Sequence, residues 1–105
     1  MKGINMAKVT LMLGNDPQGD YTLDKPEHTV GRSLWADILI NDLGVSRLHA
    51  IFVQDGDGWK IVDQVPSSGT FVNGERVFEK QLKHNDRIVL GKFSLLYRVA
   101  EDERE

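Results

Sequence analysis

The sequence predicts an all-β fold, a sandwich or barrel of short antiparallel strands, and three observations carry that prediction. Short runs alternate with a period of two, as in Val9, Leu11 and Leu13 against Lys8, Thr10 and Met12. Turn residues recur between these runs, with Asn73-Gly74 providing the strongest two-residue hairpin signal. No segment sustains a helical period, and Leu34 to Ile38 holds one helical turn at most.

Taken in order, the elements justify themselves locally. Lys8 to Leu13 reads as a strand with Val9, Leu11 and Leu13 on one face, and Gly14 to Gly19 as the turn cluster after it. Tyr21 to Leu23, His28 to Gly31 and Ile38 to Ile40 are short strands. His49 to Gln54 and Trp59 to Asp63 flank Asp55-Gly56-Asp57-Gly58, which reads as a hairpin turn. Thr70 to Val72 and Glu75 to Val77 flank Asn73-Gly74. Arg87 to Leu90 and Phe93 to Val99 flank Gly91-Lys92. Apolar strand positions nominate a core of Leu11, Leu13, Val30, Ile38, Ile40, Ile51, Val53, Ile61, Phe71, Val89, Leu95 and Tyr97.

At 105 residues the chain fits one domain, too short for a TIM barrel or a complete two-half dinucleotide fold. Residues 7–100 form that domain, 1–6 a loose leading segment, and 101–105 a charged tail. A domain of this size buries roughly 65% of its unfolded surface, enough for a core without covalent staples. There is no cysteine, which excludes disulfides and thiolate metal sites and suits a reducing cytoplasm. The net charge of −3 argues against sequence-independent nucleic-acid binding, and the apolar runs are too short to cross a membrane as a helix.

Most catalytic and metal chemistry can be set aside. His28, His49 and His84 have no partner at metal-ligand spacing. Asp55 and Asp57 begin like a calcium loop, but Trp59 takes the third ligand position and no glutamate stands at the twelfth. Ser46 and His49 suggest a nucleophile and base, yet Gly44-Val45-Ser46-Arg47-Leu48 lacks the second glycine of a nucleophile elbow. No phosphate-loop glycine-lysine run exists. The expectation is a protein that is not an enzyme and needs no metal or cofactor.

What remains lies at strand ends. Gly31-Arg32-Ser33, Val45-Ser46-Arg47-Leu48-His49 and Ser67-Ser68-Gly69-Thr70 place arginines, small hydroxyls and glycines in three loops. If one end of a sandwich gathers them, guanidiniums, hydroxyls and backbone N–H groups form the donor set for a phosphate dianion. Taken alone, arginine and serine in loops usually serve solubility and glycines serve turns.

The ordered set Gly31-Arg32, Ser46-Arg47-Leu48-His49, Ser67-Ser68-Gly69-Thr70-Phe71-Val72-Asn73-Gly74 and Leu90-Gly91 resembles the forkhead-associated (FHA) domain, across nearly the whole chain from about Ala7 to Ala100. The resemblance implies a two-sheet antiparallel β-sandwich of about eleven short strands, with phosphothreonine-peptide binding through loops at one end and no catalysis. It implies that Arg32 grips the phosphate, Ser46 donates to a phosphate oxygen, Arg47 contacts phosphate or peptide backbone, and Ser67 reaches the phosphate. His49 would hold the loops together, with Gly31, Gly69, Thr70, Asn73 and Gly74 as loop scaffold. A niche for the threonine γ-methyl would favour threonine over serine.

One residue departs from the family pattern. Ser68 stands where the family usually has an asparagine that hydrogen-bonds the peptide main chain. The leading expectation is a cytoplasmic adaptor whose partner is a threonine-phosphorylated protein, without nucleic-acid or membrane binding. The Ser68 departure keeps open an alternative, a phosphate-independent interaction or oligomerisation scaffold of the same fold.

Overall fold

A computed structural model describes residues 6–99. The expected loose segment before residue 6 and the charged tail 101–105, with Ala100, lie outside the described residues. Eleven strands and no helix make up the described chain. They are β1 (Ala7–Leu13), β2 (Asp16–Leu23), β3 (Glu27–Gly31), β4 (Ile38–Leu39), β5 (Ala50–Asp55), β6 (Gly58–Asp63), β7 (Thr70–Val72), β8 (Glu75–Val77), β9 (Glu79–Gln81), β10 (Arg87–Leu90) and β11 (Phe93–Val99). Two sheets result, one ordered β2-β1-β11-β10-β7-β8 and the other β4-β3-β5-β6-β9.

The core lies between the sheets. Val9, Leu11, Leu23, Val72, Ile88, Leu90, Leu95 and Tyr97 face inward from the first sheet, and Val30, Ile38, Phe52, Trp59 and Ile61 from the second. Each such side chain contributes roughly 1.5–3 kcal/mol by leaving water. His28 meets the Trp59 ring edge-on at 6.0 Å.

Several local expectations need correction. The turn after β1 is Gly14-Asn15 alone, and β2 already begins at Asp16. Pro17 is tolerated because β2 is an edge strand, and a register shift opposite Leu11/Met12 absorbs an extra residue. The pair β3–β4 is parallel, so the second sheet is mixed rather than wholly antiparallel. Strand β9 has no sequence counterpart above, because Glu-Lys-Gln carries no apolar alternation.

Five nominated core residues face outward or sit half-exposed: Leu13, Ile51, Val53, Phe71 and Val89. In β5, β7 and β10 the buried residues are instead Ala50 and Phe52, Thr70 and Val72, and Ile88 and Leu90. These strands are apolar on both faces, so alternation could not set the phase, and a one-residue slip exchanges the faces.

The segment between β3 and β4 forms a turn without a helix. Its ends are pinned by Asp37, which accepts from the Thr29 N–H at 2.9 Å and pairs with Lys25 at 2.8 Å. That pairing holds the Asp37 carboxyl below its usual pKa and raises that of Lys25.

Candidate functional site

Strand β3 ends at Gly31, and the β4–β5 loop lies directly on it. The Arg32 N–H donates to the Ser46 carbonyl at 3.0 Å, and the Ser33 N–H to the Arg47 carbonyl at 3.2 Å. The approach requires glycine at position 31. A Cβ there would overlap the Arg47 carbonyl oxygen, with the Arg47 carbonyl carbon at 2.6 Å and the Ser46 oxygen at 2.9 Å. Backbone cannot move away as a flexible side chain can, so this contact fixes Arg32 beside Ser46-Arg47. The Arg32 Nε–H also donates to the Val45 carbonyl at 3.1 Å, which orients the guanidinium. Val45 itself is buried and anchors the loop in the core.

His49 ties this loop to the next one. It is 1% exposed. Its Nδ1 accepts from the Ser46 N–H at 3.2 Å, and its Nε2 lies 2.8 Å from the Gly69 carbonyl oxygen. An amide N–H can only donate and a carbonyl can only accept, so the ring is neutral with its proton on Nε2. Both ring nitrogens are thereby engaged with backbone groups of the two loops. His28 and His84 likewise accept backbone N–H groups, from Asp24 and Lys25 and from Val99. Among the described residues no cluster of three or more histidine, cysteine or acidic side chains could hold a metal.

The β6–β7 loop is clamped at its base by Asp63, which sequence reasoning missed. Its Oδ1 accepts from the buried Thr70 hydroxyl at 2.7 Å and from the Val65 N–H at 3.3 Å. A lone aspartate at a strand end carries no signal until its partner seven residues on is seen to turn back toward it. Ser67 and Ser68 are exposed on this loop, and the Ser68 and Gly69 N–H groups both donate to the Val65 carbonyl. Gly69 adopts a φ of +86°, which disfavours any side chain. A Cβ on it would lie 3.3 Å from the Arg76 guanidinium, so this arginine from β8, also missed, flanks the loop.

The structure thus brings Gly31, Arg32, Ser46, Arg47, His49, Gly69 and Thr70 into one connected set of loops, with Ser67 and Ser68 on its third member. Asn73 and Gly74 are not part of it. They form the β7–β8 turn at the far end of β7, where Asn73 donates to Asp86 at 2.9 Å and accepts from the Arg87 N–H at 3.0 Å. They brace that turn against the β9–β10 connection instead of the loops that carry the arginines.

The charge balance around the loops is specific. Lys92 pairs with Asp42 at 3.6 Å, and the Gly44 N–H also donates to Asp42, so this carboxylate of the β4–β5 loop is occupied. Among the described residues Arg32 and Arg47 have no carboxylate partner. The hydroxyls of Ser46, Ser67 and Ser68 have no hydrogen-bond partner there either. Arg32, Ser33, Leu34, Trp35 and Arg47 line an open cavity of about 330 Å³. Both guanidiniums border this cavity, whereas Ser46, Ser67 and Ser68 are not among its lining residues.

Known proteins agree with this architecture. The family model for the FHA domain matches residues 28–91. The chain is 32% identical over 99 residues to the glycogen accumulation regulator GarA of Mycolicibacterium smegmatis, covering 92% of this chain and 63% of that protein. It is 32% identical over 105 residues to the oxoglutarate dehydrogenase inhibitor of Corynebacterium jeikeium, covering 98% and 73%. Among solved structures, an FHA domain studied for phosphothreonine-dependent interactions superposes with a TM-score of 0.81 at 30% identity, covering 90% of this chain and 97% of that one. The FhaA FHA domain complexed with the intracellular domain of Rv3910 gives 0.79 at 32% identity, covering 88% and 99%. With its two-sheet sandwich, its joined loops and a family match over most of its length, the chain belongs to the FHA-domain family.

Proposed function

We propose that this domain recognises threonine-phosphorylated segments of partner proteins and acts as a non-catalytic adaptor. The observation that carries the reading is the seating of Ser46-Arg47 on Gly31-Arg32, with both guanidiniums free of carboxylates among the described residues. In this reading Arg32 and Arg47 hold the phosphate with planar forks, and the Ser46 and Ser67 hydroxyls donate to its oxygens. Ser68 stands beside the peptide main chain and reaches it directly or through water. His49, Asp63 and Thr70 hold the loops in place. The net charge of −3 does not oppose this, because recognition depends on local donors.

The names of the relatives extend the proposal. One relative is named for regulating glycogen accumulation and another for inhibiting oxoglutarate dehydrogenase, which suits a domain that controls metabolism. The partner of this domain is then a phosphoprotein of the cytoplasm or the enzyme it controls. Calorimetric titration with a phosphothreonine peptide and its unphosphorylated twin tests the reading. Binding of the phosphorylated form alone is expected. Equal affinity for both would replace it with a phosphate-independent scaffold.

A further inference from the structure

The outward face of the first sheet gathers positive charge that the described chain leaves unbalanced. Strand alternation and register place Arg76 of β8, Arg87 of β10, Arg98 of β11 and Lys8 of β1 on this face, and all four are exposed. The Arg87 guanidinium donates across it to the Ser94 hydroxyl at 2.9 Å. Among the described residues none of the four cations pairs with a carboxylate. The chain has 16 aspartates and glutamates, yet Asp20 is the only acidic strand residue described on this face. Asp20 accepts from the Thr10 hydroxyl instead.

Lys8 and Arg98 stand directly opposite each other in the β1–β11 register. Like charges so placed destabilise a sheet, and an anion lying over them turns the repulsion into attraction. The four cations form a diagonal that starts beside the phosphate-side loops. At that corner the Arg76 guanidinium and the Phe71 ring each lie 3.3 Å from where a Cβ on Gly69 would stand. The diagonal then crosses β10 and β11 to β1, flanked by the half-buried Phe71, Val89 and Leu96. Strand spacings of about 4.8 Å and a rise of about 3.3 Å per residue put its ends roughly 20–25 Å apart, which about seven extended residues span. At the far end Lys8, Thr22 and Arg98 border an open cavity of about 370 Å³.

We propose that this diagonal is a second docking track, for an acidic stretch of the partner protein with apolar residues interspersed, which continues from the phosphothreonine across Gly69. The proposal rests on the phosphothreonine reading. The apolar flank favours a polypeptide over a nucleic-acid backbone, whose phosphates would leave Phe71, Val89 and Leu96 without partners. Exposed ion pairs are individually weak and screened by salt, so the track supplies selectivity among phosphoproteins more than raw affinity.

Calorimetry on the full chain tests it. The probes are phosphothreonine peptides with an alternating glutamate-leucine extension of about eight residues on one side or the other, the same peptides with serine-alanine extensions, and their unphosphorylated twins. At low salt one glutamate-leucine extension is expected to tighten binding by roughly 5- to 30-fold over its serine-alanine counterpart, and high salt to remove most of that gain. Arg98→Glu should cut the gain to below about threefold and leave affinity for the serine-alanine phosphopeptide unchanged. It should not lower the melting temperature, because a glutamate opposite Lys8 replaces a repulsive pair by an attractive one. Phosphate-dependent binding with no gain from either extension, a gain that survives high salt or Arg98→Glu, or equal affinity for a single-stranded DNA oligonucleotide overturns the proposal and leaves the phosphothreonine reading standing. Binding without phosphate dependence overturns both.

Discussion

The backbone of Arg47 occupies the space that a side chain on Gly31 would need, with its carbonyl carbon 2.6 Å from where a Cβ would stand. This contact between the end of β3 and the β4–β5 loop is what sets the two arginines side by side. Gly31→Ala should push the loop off β3, break the Arg32–Ser46 and Ser33–Arg47 backbone bonds, and destabilise the fold by about 1–3 kcal/mol. Chemical unfolding would show that loss, and phosphopeptide binding should fall with it.

Arg32→Lys keeps the positive charge but removes the planar fork and the Nε–H bond to the Val45 carbonyl. Loss of one bond to a neutral carbonyl costs about 0.5–1.5 kcal/mol in stability. Phosphopeptide affinity should drop more, by roughly 10- to 150-fold, if the charge-assisted bonds are worth about 1.5–3 kcal/mol. Calorimetry and thermal melting on the same sample separate the two effects. An unchanged affinity would show that Arg32 serves the loop alone.

His49→Ala leaves the Ser46 N–H and the Gly69 carbonyl without their partner. Each buried group left unsatisfied costs about 1–3 kcal/mol, so the melting temperature should fall clearly. The variant should bind poorly because two loops lose their common tie. If it melted like the parent protein and still bound poorly, His49 would be touching the ligand.

His28 predicts how stability responds to acid. Burial pushes its pKa below 6.5, outweighing the opposing pull of the Asp37 and Asp24 carboxylates. Its Nε2 accepts the Asp24 and Lys25 N–H groups, so a proton there would expel both. A depressed pKa means that the unfolded chain binds the proton more readily. The contribution is therefore complete above about pH 6.5 and is lost as the pH falls through the lower folded value. Asp37, also depressed, adds a second loss below its usual value of 3.8. Urea unfolding across pH 7 to 5 should show the first decline, and His28→Gln, whose carbonyl can still accept, should flatten it.

Ser68→Asn restores the amide that the family usually carries in this loop. If its donor and acceptor reach the peptide backbone, one further neutral hydrogen bond should tighten binding by roughly 2- to 12-fold. The requirement for phosphate should persist, since Arg32 and Ser46 are untouched. A titration of both variants with one phosphothreonine peptide reads this directly, and weaker binding by the asparagine variant would mean that Ser68 fits a different peptide course.

Strands and turns with strong local chemistry were legible from residue types alone. Asn73 and Gly74 both adopt positive φ, as a tight hairpin demands, and β7 and β8 begin and end where the flanking residues indicate. The order of Gly31-Arg32, Ser46-Arg47 and His49 was legible as well, as a pattern along the chain. Which face of β5 or β10 is buried was not, because Ala50 to Val53 and Ile88 to Leu90 are apolar without a break, and only the opposing sheet selects a side. Asp63 and Arg76 stayed invisible for a related reason. Their contacts depend on Thr70 turning back and on Gly69 lying across β8. Local propensity and turn chemistry act within a few residues, so sequence can state them. Sheet packing and loop convergence join residues as far apart as His49 and Gly69, and those distances exist only once the two sheets have closed on each other.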